Sequence, residues 1–194
     1  MLQADQLKPL FDVFNLIQPL SFQVTEALKP LCQLRYFKKH EEIQAIGATC
    51  KTVYFVFSGA ARIFYLKDGH EVTEYFAFEN DLIIRAESLF TGNPSKKAIQ
   101  ALENSNVVAI SSEALFRLFD QYPDLEKLFN KLVQRSYVET LKRLENLQFL
   151  TAEERYRKLL TDHPEIIQKI PLKYIASYLG ITQVSLSRIR SSLR

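Results

Sequence analysis

Between Thr182 and Arg190 the sequence sets out a row of hydrogen-bonding side chains: Gln183, Ser185, Ser187, Arg188 and Arg190. On the outer face of a helix, Gln suits the edge of adenine, Arg the edge of guanine or a phosphate, and Ser either. Thr182, just before them, has the residue type of an N-cap, and Leu186 and Ile189 face inward. A preceding helical pattern, Leu172–Leu179, keeps Ile175, Ala176 and Leu179 on one face. Gly180 can adopt the left-handed conformation needed just past its end, and Ile181 plugs the turn. Two short helices, a glycine turn and a small alanine where they cross meet the requirements of a helix-turn-helix. The chemistry on offer is recognition of an anionic, base-bearing surface. A helical hairpin with an ordinary basic surface is the competing reading, and the absence of acidic residues after Glu165 weighs against it.

Charge is distributed accordingly. The 194 residues carry a formal net charge of +3. From Thr151 onward there are 8 Lys/Arg against 4 Asp/Glu, whereas the preceding chain is close to neutral. A basic tail behind a neutral body suits an anionic partner.

Residues for other chemistry are sparse. His40, His70 and His163 are scattered without ligand spacing, so no metal is expected. Cys32 and Cys50 form no C-x-x-C pair, too few thiols for an iron–sulfur cluster, and are expected as free thiols in a reducing cytoplasm. Glu41-Glu42 is a carboxylate pair, but adjacent strand residues point to opposite faces. No Ser–His–Asp set, phosphate-loop glycine run or H-E-x-x-H occurs, so catalysis is not expected. No apolar run is long enough for a membrane span, and the opening MLQADQLKPLFDVF lacks the marks of a signal peptide.

The remaining elements must position the C-terminal row. Leu7, Leu10, Phe11, Phe14 and Ile17 recur at spacings of three and four and predict a helix stopped by Pro19; a short helix follows around Ala27 and Leu28. From about Leu34 to Ile110 the chain is β-rich. Strand-like runs occupy Thr52–Phe57, Ala61–Leu66, Glu71–Phe78 and Asn106–Ile110, divided by turn residues. Asp68-Gly69 is a specific hairpin signal. Helix resumes at Glu113–Tyr122, Pro123 interrupts it, and a segment free of Gly and Pro runs from Asp124 to about Leu150. Its apolar stripe needs a partner, either its own barrel or the same helix of a second chain. Thr151-Ala152-Glu153-Glu154 reads as a capping box that starts a new helix, ended by His163-Pro164.

This layout resembles the Crp/Fnr family. Three stretches carry the resemblance: Val53–Phe57 with Ser58-Gly59 and the Asp68-Gly69 hairpin; Glu145–Leu160; and Ile170–Arg190, which is similar to the family's Bacteroidetes-like branch. The resemblance implies a cyclic-nucleotide-binding-type β-roll, a dimer helix and a DNA-binding helix-turn-helix. In cyclic-AMP-binding members a phosphate cassette combines a Gly-Glu pair with a later Arg-Ser pair. Within Arg85–Ala98 those positions read Arg85-Ala86 and Lys96-Lys97. The ribose carboxylate is gone, and Lys96 offers a point charge rather than a bidentate fork. Thr140 matches an adenine-facing residue, while its following Ser is Leu141. Cyclic AMP is therefore not the expected ligand and no cofactor is assigned; Arg85, Lys96, Lys97 and Thr140 are the candidate pocket residues for another small ligand. In the recognition helix the family's Arg-Glu pair becomes Gln183-Val184, while its later Arg is kept as Arg188.

The expected fold is α+β: an antiparallel β-roll with flanking helices, a long dimerisation helix, and a C-terminal helix-turn-helix lacking a full wing. The expected division is a sensor domain over 1–123, the dimerisation helix over 124–150 and the DNA-binding domain over 151–194. The expected protein is a cytoplasmic homodimeric transcription regulator with no membrane contact. Double-stranded DNA is the expected partner and RNA polymerase a further candidate. The alternative is a ligand-sensing or protein-interaction module with degenerate DNA binding.

Overall fold

The computed structural model describes residues 4–164 and 166–193. The first three residues of the stretch read against a signal peptide, Glu165 and Arg194 lie outside the described residues.

After a 3-10 turn (Ala4–Leu7), helices α1 (Lys8–Ile17) and α2 (Phe22–Leu28) lead into the strands. These are β1 (Gln33–Phe37), β2 (Glu42–Gln44), β3 (Thr52–Ser58), β4 (Ala61–Lys67), β5 (His70–Ala77), β6 (Leu82–Ile83), β7 (Ala98–Ala101) and β8 (Ser105–Ser111), with α3 (Ala86–Thr91) between β6 and β7. The C-terminal helices are α4 (Ser112–Phe119), α5 (Pro123–Phe149), α6 (Ala152–Asp162), α7 (Ile166–Lys169), α8 (Leu172–Tyr178) and α9 (Gln183–Ser192).

All strand pairs are antiparallel, in two four-stranded sheets ordered β1-β8-β3-β6 and β2-β7-β4-β5. Alternation along the strands decides what each face does. In β3, Tyr54 and Val56 point between the sheets, where Ile63, Ala77, Ile99, Val107 and Ala109 meet them. Val53 and Phe55 point outward onto Phe14, Leu28, Leu125, Leu128 and Phe129 of the flanking helices. β3 is therefore buried on both faces, which is why it reads as a continuous apolar run.

The β4–β5 hairpin closes at Lys67 opposite His70, with Asp68 and Gly69 both at positive φ, as the turn signal requires. Its register slips between Ile63 and Phe64, because Tyr75 faces Ile63 and Thr73 faces Phe64. Glu74 is the extra residue of this bulge. A bulge re-aims its side chain, and here it turns Glu74 toward Lys97 and Arg85.

Proline at the first position of α5 fits a helix start. The helix runs unbroken through Gln134-Arg135-Ser136, where the heptad pattern is interrupted. Its first half buries Leu125, Leu128, Phe129 and Leu132; its second half buries none of its apolar residues. The capping box at Thr151 forms in full, with Glu154 accepting from the Thr151 amide. Burial pushes the Cys32 thiol up to about 12, which leaves it inert as a nucleophile. Both cysteines are free and buried.

Candidate nucleic-acid interface

A separate core assembles the C-terminal helices: Tyr156 and Leu159 of α6, Ile166, Ile170, Tyr174, Ile175, Ala176, Leu179 and Leu186. Ala176 is buried where α8 and α9 meet, and Leu186 and the half-buried Ile189 hold α9 against them. Gly180 sits at φ +70, and a β-carbon there would also approach Leu147 Cδ2 to 3.4 Å. The Ile181 amide donates back to the Ala176 carbonyl, closing the turn. Thr182 caps α9, its Oγ1 accepting from the Ser185 amide at 3.1 Å.

The structure distributes the sequence-predicted base readers unevenly. Gln183, Ser187 and Arg188 are exposed on α9. Ser185 is half-buried and its hydroxyl lies 3.0 Å from that of Thr182, so both side chains are engaged in the cap. Arg190 is half-buried in the last turn. Val184, left out of the predicted row, is 62% exposed. Its signal was the helical period itself: four residues before Arg188, it shares that residue's face.

Of the candidate pocket residues, Arg85 and Lys97 meet at one carboxylate, that of Glu74, while Lys96 and Thr140 stand in solvent. Thr140 is exposed, and its hydroxyl donates to the Ser136 carbonyl one turn back. Lys96 is exposed as well. Lys97 is ion-paired with Glu74, and Arg85 Nη2 lies 4.0 Å from the other oxygen of that carboxylate. Arg85 is only 6% exposed and its Nε has no partner. Burial pulls its guanidinium below the ordinary value, and Glu74 opposes that shift. A groove of about 440 Å³ follows α5, lined by Lys131, Gln134, Arg135, Val138, Glu139 and Lys142, and none of the four predicted residues lines it.

Sequence reasoning missed Arg62. Completely buried on β4, its guanidinium donates to Gln100 Oε1 at 2.9 and 2.7 Å and to Thr73 Oγ1 at 3.2 Å, and pairs with Glu71. It lies 3.7 Å from the ring centre of Tyr174 on α8 and 4.3 Å from that of Phe64. The Thr73 amide donates to Ser177 Oγ, and Arg143 donates to the Tyr178 carbonyl at 3.0 Å. These contacts seat α8 on the outer face of β4 and β5. The available signal was a cation inside the apolar run Ala61–Leu66.

Residues 34–122, which span most of the β-roll, match the family model of the cyclic nucleotide-binding domain. Solved structures extend the likeness over the chain. FixK2 from Bradyrhizobium japonicum superposes with a TM-score of 0.71 at 22% identity, covering 84% of each chain. CLP, a c-di-GMP-responsive global regulator of Xanthomonas campestris, gives 0.70 at 19% identity, covering 89% of this chain and 91% of its own. The catabolite activator protein of Thermus thermophilus gives 0.55 at 22% identity, covering 90% and 84%. The chain thus carries the architecture of the Crp/Fnr regulators, and the described roles among these neighbours are regulatory rather than catalytic. No curated protein sequence matches the chain. No described helix is long and apolar enough to cross a membrane.

Proposed function

We propose that the protein is a dimeric, sequence-specific DNA-binding transcription regulator, with residues 1–123 as sensor, 124–150 as dimer helix and 151–194 as DNA-binding domain. The observation that carries this reading is α9: a capped helix behind a glycine turn, supported by its own core, that leaves Gln183, Ser187 and Arg188 in solvent. Such side chains at the start of a second helix are placed to reach base edges in a major groove. The likeness of Ile170–Arg190 to the Bacteroidetes-like branch belongs to the same reading, as does contact with RNA polymerase.

Dimerisation follows from the uncovered apolar stripe on the second half of α5. Tyr137, Val138, Leu141 and Leu144 are all exposed, at spacings of one to four that make an apolar stripe. Pairing with the same helix of a second chain covers it. The sensor departs from the cyclic-AMP pattern, and two of the loop's cations are engaged from within. The Glu74 carboxylate, aimed by the bulge, meets Lys97 and Arg85. A phosphate that takes Arg85 or Lys97 competes with it, while Lys96 stands exposed.

The test is selection from random duplexes by wild type and Arg188→Ala, with and without cyclic AMP, alongside sedimentation. Wild type is expected to sediment as a dimer and select a pseudo-palindrome without help from the nucleotide. Arg188→Ala is expected to bind that site about 10- to 100-fold more weakly. A monomer at micromolar concentration removes the dimer. Equal, salt-insensitive binding by both proteins removes the DNA reading and favours a protein-interaction module.

A further inference from the structure

We infer that Val184 is a specificity-determining residue that reads the 5-methyl group of a thymine. This inference rests on the DNA-binding reading above and sharpens it.

The first turn of α9 offers few groups to a groove. Thr182 and Ser185 are turned to each other in the cap, which leaves Gln183 and Val184. Val184 is 62% exposed, and the C-terminal core is built without it. A β-branched residue on a helix surface loses side-chain freedom with no packing in return, so nothing in the chain's own fold accounts for valine there. Major-groove edges supply a counterpart. Thymine is the one base that presents a methyl group, and apolar side chains read it by contact. A valine also presents no group that can satisfy a base donor or acceptor, so it excludes cytosine and adenine edges from the same place through the cost of leaving their polar groups unpaired.

The helix fixes where that thymine lies. Val184 and Arg188 are one turn apart on the same face. Four residues of helix rise ~6 Å, against ~3.4 Å between successive base pairs. The thymine therefore falls within about two base pairs of the guanine or phosphate held by Arg188, once in each half-site.

Uracil lacks only the methyl group, so it tests the contact without altering base pairing. The duplex selected by wild type is rebuilt with deoxyuridine in place of each thymine in turn and titrated with wild type, Val184→Ala and Val184→Thr. In wild type one symmetry-related pair of positions is expected to lose affinity about fourfold per methyl, the factor that goes with burying one such group. Val184→Ala is expected to bind the parent duplex more weakly and to lose most of its response to uracil there, while responses elsewhere persist. Val184→Thr, which keeps one methyl, falls between. Sequence-specific binding with a flat uracil scan, or with the same response in all three proteins, overturns the Val184 assignment alone. Failure of wild type to select any sequence overturns it together with the DNA-binding reading.

Discussion

The two sheets of the β-roll each carry helices on their outer face, and the two contacts are of different kinds. Against β3 and β8 the contact is hydrocarbon: Val53, Phe55, Val108 and Ile110 meet Leu10, Phe14, Leu28 and Leu128. Against β4 and β5 an apolar patch of Phe76, Ala60 and Leu102 surrounds a buried cation and a handful of directed hydrogen bonds. Oily contacts tolerate sliding and are limited by area; directed polar contacts hold only one geometry and lose most of their worth once it is lost. The first face joins the β-roll to its flanking helices. The second seats the helix-turn-helix on the roll.

Phe14→Ala is the largest expected break. Phe14 is fully buried and lies edge-on to Phe55 with ring centres 4.9 Å apart. Its truncation is expected to cost about 3–5 kcal/mol of global stability, seen as a lower denaturant midpoint for β-roll and helices together. Arg62→Met should separate the two faces instead. It leaves Gln100 and Thr73 without their donor, at a cost of about 2 kcal/mol. Amide exchange is expected to speed up in α8 and α9 and stay unchanged in α1 and β3. If protection falls equally everywhere, the second face is no more separable than the first.

The smallest effect concerns acid. Asp81, half-buried at the β5–β6 turn, accepts from the Phe78 amide at 2.9 Å. Phe78 in turn stacks on His163 at the end of α6, with ring centres 4.6 Å apart. Burial pushes the Asp81 carboxyl above its ordinary value of 3.8; the Phe78 amide opposes this, Glu139 adds to it, and Arg135 and His163 counter it. A carboxyl raised in the folded state contributes stability that is present below 3.8 and lost as pH rises through the folded value. Asp81→Asn is expected to flatten that slope and to be slightly the more stable at neutral pH, checked by urea denaturation across the acid range. A steeper slope in the variant refutes the assignment.

Much of this was readable where a residue's own type decides its conformation. Gly180, Thr182, Asp68-Gly69 and the Thr151–Glu154 box act within a few residues of themselves, and they form as their types require. The long apolar runs of β3, β4, β5 and β8 likewise lie within a residue or two of the expected limits. β2, β6 and β7 were not separately legible. They are two to four residues long and exist through partners distant in sequence rather than through their own propensity. The pocket was only partly legible, for a similar reason. Placing Thr140 beside Arg85–Ala98 needed the rotation of α5 about its axis, which the interrupted heptad left open. Glu74 carried no signal of its own, because the bulge that aims it is a property of pairing. Arg62 was hidden by the rule that charges stay outside.

The division of α5 into a half gripped by apolar packing and a half held to its neighbours by polar contacts, such as Arg143 to Tyr178, makes it a lever. The fulcrum lies where Leu125 to Leu132 are clamped to the roll, and the working arm extends from there to Phe149. Seventeen residues at 1.5 Å each give that arm a reach of ~26 Å. A tilt of about 5° at the clamp therefore swings the far end by ~2 Å. That displacement is a large part of the spacing between neighbouring base pairs. A shift of that size at Phe149 passes directly to α6, which begins three residues later.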